Sequence, residues 1–287
     1  MSEWTKRIVH WEDNQNHYYS IVFTWDLYRW SREVQPELDG KGIVVGGPAV
    51  RLMPHLVPAW VQIGADRPAL PRHNPMATKT STGCIRRCEF CAVPKTEGGL
   101  RESSHWAVKP LLIDNNLLAC SNTHFNRVIE SLKPLDWVDF NGGLDARLLT
   151  QHHADRIAEL KRPLIHMGFD HIAMESVFVD AVVKLRRAGI SKRVITAYVL
   201  IGYNDTPEEA LHRLKVVRSL GIEPFPQRFQ PLHTRVKNEY VAPNWTNEEL
   251  DRFVSYFSNL RFTRAVPFDE YRHNSSRQQE EQLKFAK

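Results

Sequence analysis

From residue 110 to residue 232 the sequence keeps one beat, a short apolar run and then an amphipathic stretch, and this limits the fold more than anything else in the chain. "PLLID" (110–114), "WVDFNGG" (137–143), "PLIHMGFD" (163–170), "RVITAYVLIGYND" (193–205) and "IEPFPQRFQPL" (222–232) read as strands. The fourth is apolar on both faces, which suits a parallel sheet covered on both sides or a barrel. Between them lie helical stripes: Phe125, Val128, Ile129 and Leu132, stopping near Pro134; then Ala154, Ile157 and Leu160 behind a Thr150 N-cap; then Val177, Phe178, Ala181, Val182 and Leu185, closed by Gly189. Thr206-Pro207-Glu208-Glu209 is a capping box with proline at the first helical position; Leu211, Leu214, Val217 and Leu220 follow, with Gly221 placed to end the helix. With a strand just before Cys84, the count is six βα units over residues 78–232. Such units predict an α/β fold with parallel strands and right-handed crossovers. Periodicity alone leaves an open doubly wound sheet and a six-stranded partial barrel both standing.

The flanks differ from this core. Residues 1–77 are tryptophan-rich, with two strand candidates, "YSIVFTWDL" (19–27) and "GIVVGG" (42–47), and an irregular, proline-bearing linker over 65–80. Residues 233–287 are expected to form a helical extension and a polar tail. Its capping box, Thr246-Asn247-Glu248-Glu249, opens a helix carrying Leu250, Phe253, Val254 and Phe257. No apolar run approaches the roughly 20 residues that span a bilayer, and the N-terminus lacks the apolar core of a secretory signal. The expected setting is the cytoplasm, with no membrane partner. The net charge of +5 is mild, and the paired basic residues are scattered, as on a solvated surface.

Three of the four cysteines, Cys84, Cys88 and Cys91, fall within eight residues, spaced C-x3-C-x2-C beside Arg86, Arg87 and Glu89. Core cysteines do not bunch among charges in this way, and a chain with four cysteines is no disulfide scaffold; in a reducing compartment a tight cluster points to metal or catalysis. A structural zinc site would need a fourth ligand, His73 or His105, from irregular chain. Three thiolates also suit an iron–sulfur cluster with one iron left open.

At this point the residues resemble the radical S-adenosylmethionine superfamily, whose signature C-x3-C-x-aromatic-C is met with Phe90 as the aromatic. The pattern is nearest to the cobalamin-binding-type and methylthiotransferase-like members. The resemblance covers residues 78–232. It implies a (β/α)6 partial TIM barrel, with a small N-terminal α/β segment and the C-terminal helical extension outside it. It implies a [4Fe–4S] cluster on Cys84, Cys88 and Cys91 and S-adenosylmethionine chelated at the fourth iron. Reductive cleavage would then give methionine and a 5′-deoxyadenosyl radical that abstracts hydrogen from a substrate, with a flavodoxin or ferredoxin as electron donor. Asp114, Asn115 and Asn116 stand where relatives meet the methionine amino group. Gly142 and Gly143 look like that motif one strand late. Asp170, after Gly168 and Phe169, stands where relatives place a ribose-binding carboxylate. Tyr198-x-Leu200-x-Gly202-x-x-Asp205 partly matches a fifth-strand GxIxGxxE pattern, and Gln227 and Phe229 at the sixth strand's end would lie along the adenine. Arg147 is a candidate for the cofactor carboxylate or for a pair with Asp145. Cys120, the fourth thiol, is a candidate hydrogen donor or group carrier, and Tyr203 and Tyr240 are relay candidates.

"GIVVGGPAVRLMPHLV" (42–57) resembles the last strand and turn of a cobalamin-binding Rossmann domain, but the Asp-x-His-x-x-Gly loop is missing, so a shortened remnant without cobalamin is expected. The lack of a second cysteine cluster argues against members that need an auxiliary cluster. The substrate is left open between a small molecule and a nucleic acid, for which Arg86, Arg228, Arg235 and Lys237 would form a basic rim. A non-catalytic metal-binding module is the third reading.

Overall fold

The structure is a computed structural model. It describes residues 4, 8–36, 40–64, 69–259 and 266–272; the expected tail over 273–287 lies outside them. The chain divides into two compact units, Met1–Gly142 with Gln230–Tyr240, and Gly143–Phe229 with Val241–Lys287.

The first unit opens with a hairpin, β1 (Val9–Glu12) and β2 (Asn16–Ser20), paired antiparallel. Asp13 shapes its turn: Oδ1 accepts from the backbone N–H groups of Gln15 and Asn16 at 2.8 and 2.9 Å, an Asx turn. Then come α1 (Thr24–Glu33), β3 (Gly42–Gly46), α2 (Pro48–Leu52) and β4 (Gln62–Ile63), giving a sheet of order β1-β2-β3-β4 in which β2, β3 and β4 are parallel. Of the strand expected over 19–27 only Tyr19 and Ser20 are strand, the end of β2, and the rest leads into α1. From Thr24 the buried positions, Thr24, Leu27 and Trp30, recur every three residues, a helical period. That face packs with Ile21, Ile43, Val45, Val50 and Met53 into the unit's own apolar cluster.

After α3 (Leu70–His73) the chain enters β5 (Ala77–Thr78) and β6 (Ser81–Thr82), runs through the cysteine loop with α4 (Val93–Thr96), and returns on β7 (Arg101–Glu102), antiparallel to β6. Next come β8 (Leu111–Leu112), α5 (Asn122–Leu132) and β9 (Val138–Leu144). Strands β5, β8 and β9 are parallel neighbours in that order. The predicted stripe on α5 is buried as expected, behind a Ser121 N-cap that accepts from His124 N.

The second unit takes up the chain at Gly143 within β9 and continues through α6 (Gln151–Ala158), β10 (Pro163–Gly168), α7 (Glu175–Arg187), β11 (Ile195–Ile201), α8 (Pro207–Ser219), β12 (Glu223–Arg228) and α9 (Asn247–Phe257). Strands β10, β11 and β12 are parallel, in register Met167↔Ala197↔Pro224. Pro224 and Pro226 are tolerated because β12 ends the strand order. Phe178, Ala181, Val182 and Leu185 of α7 are wholly buried, each large side chain contributing about 1.5–3 kcal/mol. Val177 is not part of that stripe; it is 37% exposed. The beat thus yields what it predicted at the coarse level, a mixed α/β chain of parallel strands alternating with helices. Among the described residues no helix is long and apolar enough to cross a membrane.

Candidate functional site

In the first unit the cysteine loop is closed at its neck. β6 pairs with β7 below it, Cys84 N donates to Gly98 O at 3.1 Å, and Gly83 N donates to the Glu97 carboxylate at 3.0 Å. Gly83 takes φ +74°, and a Cβ there would stand 2.1 Å from Gly99 O. Only glycine fits both the backbone angle and the space. Within the loop Cys91 N donates to Cys88 O at 3.0 Å. All three thiols are free of disulfides and half-buried. Cys84 Sγ accepts from Arg86 N at 3.3 Å and from Asn116 Nδ2 at 3.5 Å; such donors stabilise a thiolate or a cluster-bound sulfur. Among the described residues no group of three or more His, Cys, Asp or Glu side chains is gathered as a metal-ion site. The loop's fit to an iron–sulfur cluster lies in its donor set, three soft sulfurs with N–H groups aimed at one of them.

Two carboxylates hold this loop in place. Asp114, buried just after β8, accepts at Oδ1 from Thr80 N (3.0 Å), Thr80 Oγ1 (2.8 Å), Ser81 N (2.5 Å) and Ser81 Oγ (2.6 Å), the chain that leads into the cysteines. Glu97 accepts from Lys79 Nζ, from Gly83 N and from Asn115 Nδ2 at 2.6 Å. Burial alone would raise the Glu97 carboxyl, but these donors and the Lys79 charge outweigh it and hold it below the usual carboxylate range. Sequence reasoning passed over Glu97 and Lys79. The available signal was an acid between the cysteine triplet and the Gly98-Gly99 pair.

Phe90 is half-buried in the loop. Cys120 is buried; loss of water pushes its thiol up to about 11, against a hydrogen bond with Ser81 and with help from the Glu102 and Asp114 charges. His73 is bonded to Ser20 Oγ at 2.9 Å and His105 to Ser104 Oγ at 3.0 Å. Of the basic-rim candidates, Arg235 lies over the Tyr28 ring.

In the second unit the polar centre is built around Arg213, a wholly buried arginine on α8. Its Nη1 donates to Phe169 O (2.9 Å) and Leu200 O (2.8 Å), the carbonyls at the ends of β10 and β11, and its Nη2 to Asp205 Oδ2. Asp205 Oδ1 also accepts from Gly202 N (3.0 Å), Tyr203 N (3.2 Å) and Trp245 Nε1 (3.1 Å). The predicted α8 stripe is consequently rotated: Ala210, Arg213, Leu214 and Val217 are buried, and Leu211 and Leu220 only half so. Asp170 follows β10. Burial raises its carboxyl to about 6, although the Arg213 and Arg147 charges pull it down. Arg147 itself forks onto Asp145, Nε to Oδ1 at 2.7 Å and Nη2 to Oδ2 at 3.0 Å, the structural pair of the two alternatives. Gly202 takes φ +72°, and a Cβ there would meet Leu250 at 2.7 Å. Leu200 is buried, Gln227 is exposed, and Phe229 lies 4.7 Å from Tyr203, ring to ring. Arg228 is bonded to Asp251 and Asn247. On the sheet face away from α7 and α8, His166 stacks on Tyr198 at 5.2 Å, and Tyr198 meets Phe225 edge-on at 5.7 Å.

No protein-family model matches the chain, and no curated protein matches it. Among solved structures it is similar to SuiB of Streptococcus suis bound to S-adenosylmethionine, at 10% identity and TM-score 0.45, over 65% of this chain and 47% of that one. A second SuiB structure gives 10% identity and TM-score 0.45, over 67% and 46%. The chain thus spans less than half the length of these proteins. A likeness this remote establishes no family.

Proposed function

We propose that this protein is a radical S-adenosylmethionine enzyme, with Cys84, Cys88 and Cys91 as the ligands of a [4Fe–4S] cluster and the six parallel strands as the partial barrel of that superfamily. The observation that carries the reading is the loop itself: three disulfide-free thiols in the C-x3-C-x-aromatic-C pattern, on a neck that only glycine closes, with two N–H donors on one sulfur. When bound, such a cluster supplies the electron that splits S-adenosylmethionine into methionine and the 5′-deoxyadenosyl radical. The chain's own part is positional. Asp114 and Glu97 fix the chain from Lys79 to Gly83, which leads into the loop that carries the thiols. Asn115 is turned by its bond to Glu97, which leaves its carbonyl oxygen to accept from a bound ammonium group.

Anaerobic reconstitution, reduction and addition of S-adenosylmethionine are expected to yield 5′-deoxyadenosine, with iron and acid-labile sulfide in the protein. Cys88→Ala is expected to abolish both the cluster and the cleavage. Zinc without sulfide, or a Cys88→Ala variant that makes 5′-deoxyadenosine at the parent rate, overturns the reading. The Arg228 side chain is only 5% exposed and paired with Asp251, so a nucleic-acid rim loses one of its four members.

A further inference from the structure

The first unit contains a cavity of about 670 Å³ that the cysteine chemistry does not account for. Its size is that of a pocket for a small organic molecule, roughly 300–1,000 Å³. It opens beyond the carboxyl ends of β2 and β3, where ligands bind in parallel sheets. The Ile21 backbone pins the two ends together: its N–H donates to Gly46 O at 3.0 Å, and its carbonyl accepts from Ala49 N at 3.1 Å. Val22 and Phe23, immediately after, line the cavity while 40% and 43% exposed. Large apolar side chains left open beside a cavity are the informative kind of exposure.

The lining has a definite chemistry. Trp11 and Tyr18, stacked on each other at 5.4 Å, and Phe23 give the aromatic lining, Arg51, Lys79 and His73 are basic or ionisable, and among the described residues no Asp or Glu lines the space. The cavity also abuts the cysteine loop twice. Arg51 Nη1 donates to Thr96 O of α4 at 3.1 Å, and Lys79 is ion-paired with Glu97. Ile113, just after β8, and Asn141, in the middle of β9, also line it.

We propose that this cavity is a binding site for a planar aromatic or heteroaromatic molecule carrying an anionic group, the ring against the aromatic lining and the anion at Arg51. Its role as the substrate pocket rests on the function proposed above; its selectivity for such a ligand does not.

The test uses three naphthalene probes of one shape: 2-naphthoate, naphthalene-2-carboxamide and 2-(aminomethyl)naphthalene. Binding to the full chain is measured by calorimetry and saturation-transfer NMR. The anion is expected to bind at least about tenfold more tightly than the amine, or about 1.4 kcal/mol. Arg51→Gln is expected to bring anion and carboxamide to within about threefold while carboxamide binding holds, since only the charge is removed. Val22→Trp, which fills the cavity from its rim, is expected to weaken all three probes by about tenfold or more. Equal binding of anion and amine, no binding up to about 5 mM, or unchanged binding in Val22→Trp overturns the proposal. The Cys88→Ala protein separates the two readings. Naphthoate bound there with no 5′-deoxyadenosine formed by any preparation sinks the radical chemistry alone; 5′-deoxyadenosine formed by the parent with no selectivity among the probes sinks the pocket alone.

Discussion

Replacing Arg213 by methionine is expected to destabilise the protein by about 3–5 kcal/mol, the cost of breaking a buried ion pair from one side. The magnitude follows from what is left behind. The Asp205 carboxylate stays buried without the guanidinium it pairs with, and the Phe169 and Leu200 carbonyls lose a donor each. Methionine fills the volume of the stem but satisfies none of the three acceptors. Lysine is expected to rescue little, because one ammonium on a flexible stem cannot reproduce a fork that reaches two carbonyls and a carboxylate. Urea titration followed by circular dichroism measures the loss, and a cycle with Asp205→Asn separates charge from packing. The double variant removes the stranded charge, so it is expected to be more stable than the sum of the single changes by about 1–3 kcal/mol. A loss under about 1 kcal/mol in Arg213→Met, or strict additivity in the cycle, would show that the arginine is not the keystone of this centre.

Two further outcomes follow from the same structure. Asp170, whose carboxyl burial raises to about 6, binds its proton more tightly folded than unfolded, so stability is expected to fall as pH rises from about 4 to about 6 and to level off above, by at most about 3 kcal/mol. Asp170→Asn is expected to flatten that part of the urea-midpoint profile, and an identical slope in both proteins would refute it. Cys120, with its thiol near 11, has about one part in a thousand as thiolate at pH 8. In cluster-free protein it is expected to resist iodoacetamide under native conditions while Cys84, Cys88 and Cys91 are alkylated, as read by peptide mass spectrometry; labelling of all four at one rate would refute it.

The chain's architecture was legible where one period governs one element. The α5 and α7 stripes and the Thr150, Thr206 and Thr246 caps stand where the spacing put them, since periodicity and capping are local properties. Reading failed where a distant partner decided the outcome. "SIVFTWDL" has the β-branched and aromatic content of a strand, but Leu27 and Trp30 are drawn into the apolar cluster of the first unit, and the chain turns helical at Thr24. Arg213 sits in a run that reads as a solvated helix face. Its burial depends on Asp205, eight residues back, and on two carbonyls that no side-chain pattern encodes. The cysteine triplet was visible in the sequence because its spacing is itself the signal; of the acids around it Asp114 was singled out, for another role, and Glu97 was not.

Those acids change how the candidate site is understood. A carboxylate offers about four lone-pair positions, and the Asp114 group already receives N–H and O–H donors from both Thr80 and Ser81. An incoming ammonium group would meet a carboxylate whose Oδ1 is already committed to the entry of the cysteine loop. Glu97 is committed in the same way, to Lys79, Gly83 and Asn115. The acid after β8 acts on the chain, by fixing the entry to the loop that carries the thiols. On the function proposed here, recognition of a cationic cofactor group would fall instead to Asn115, whose amide Glu97 orients.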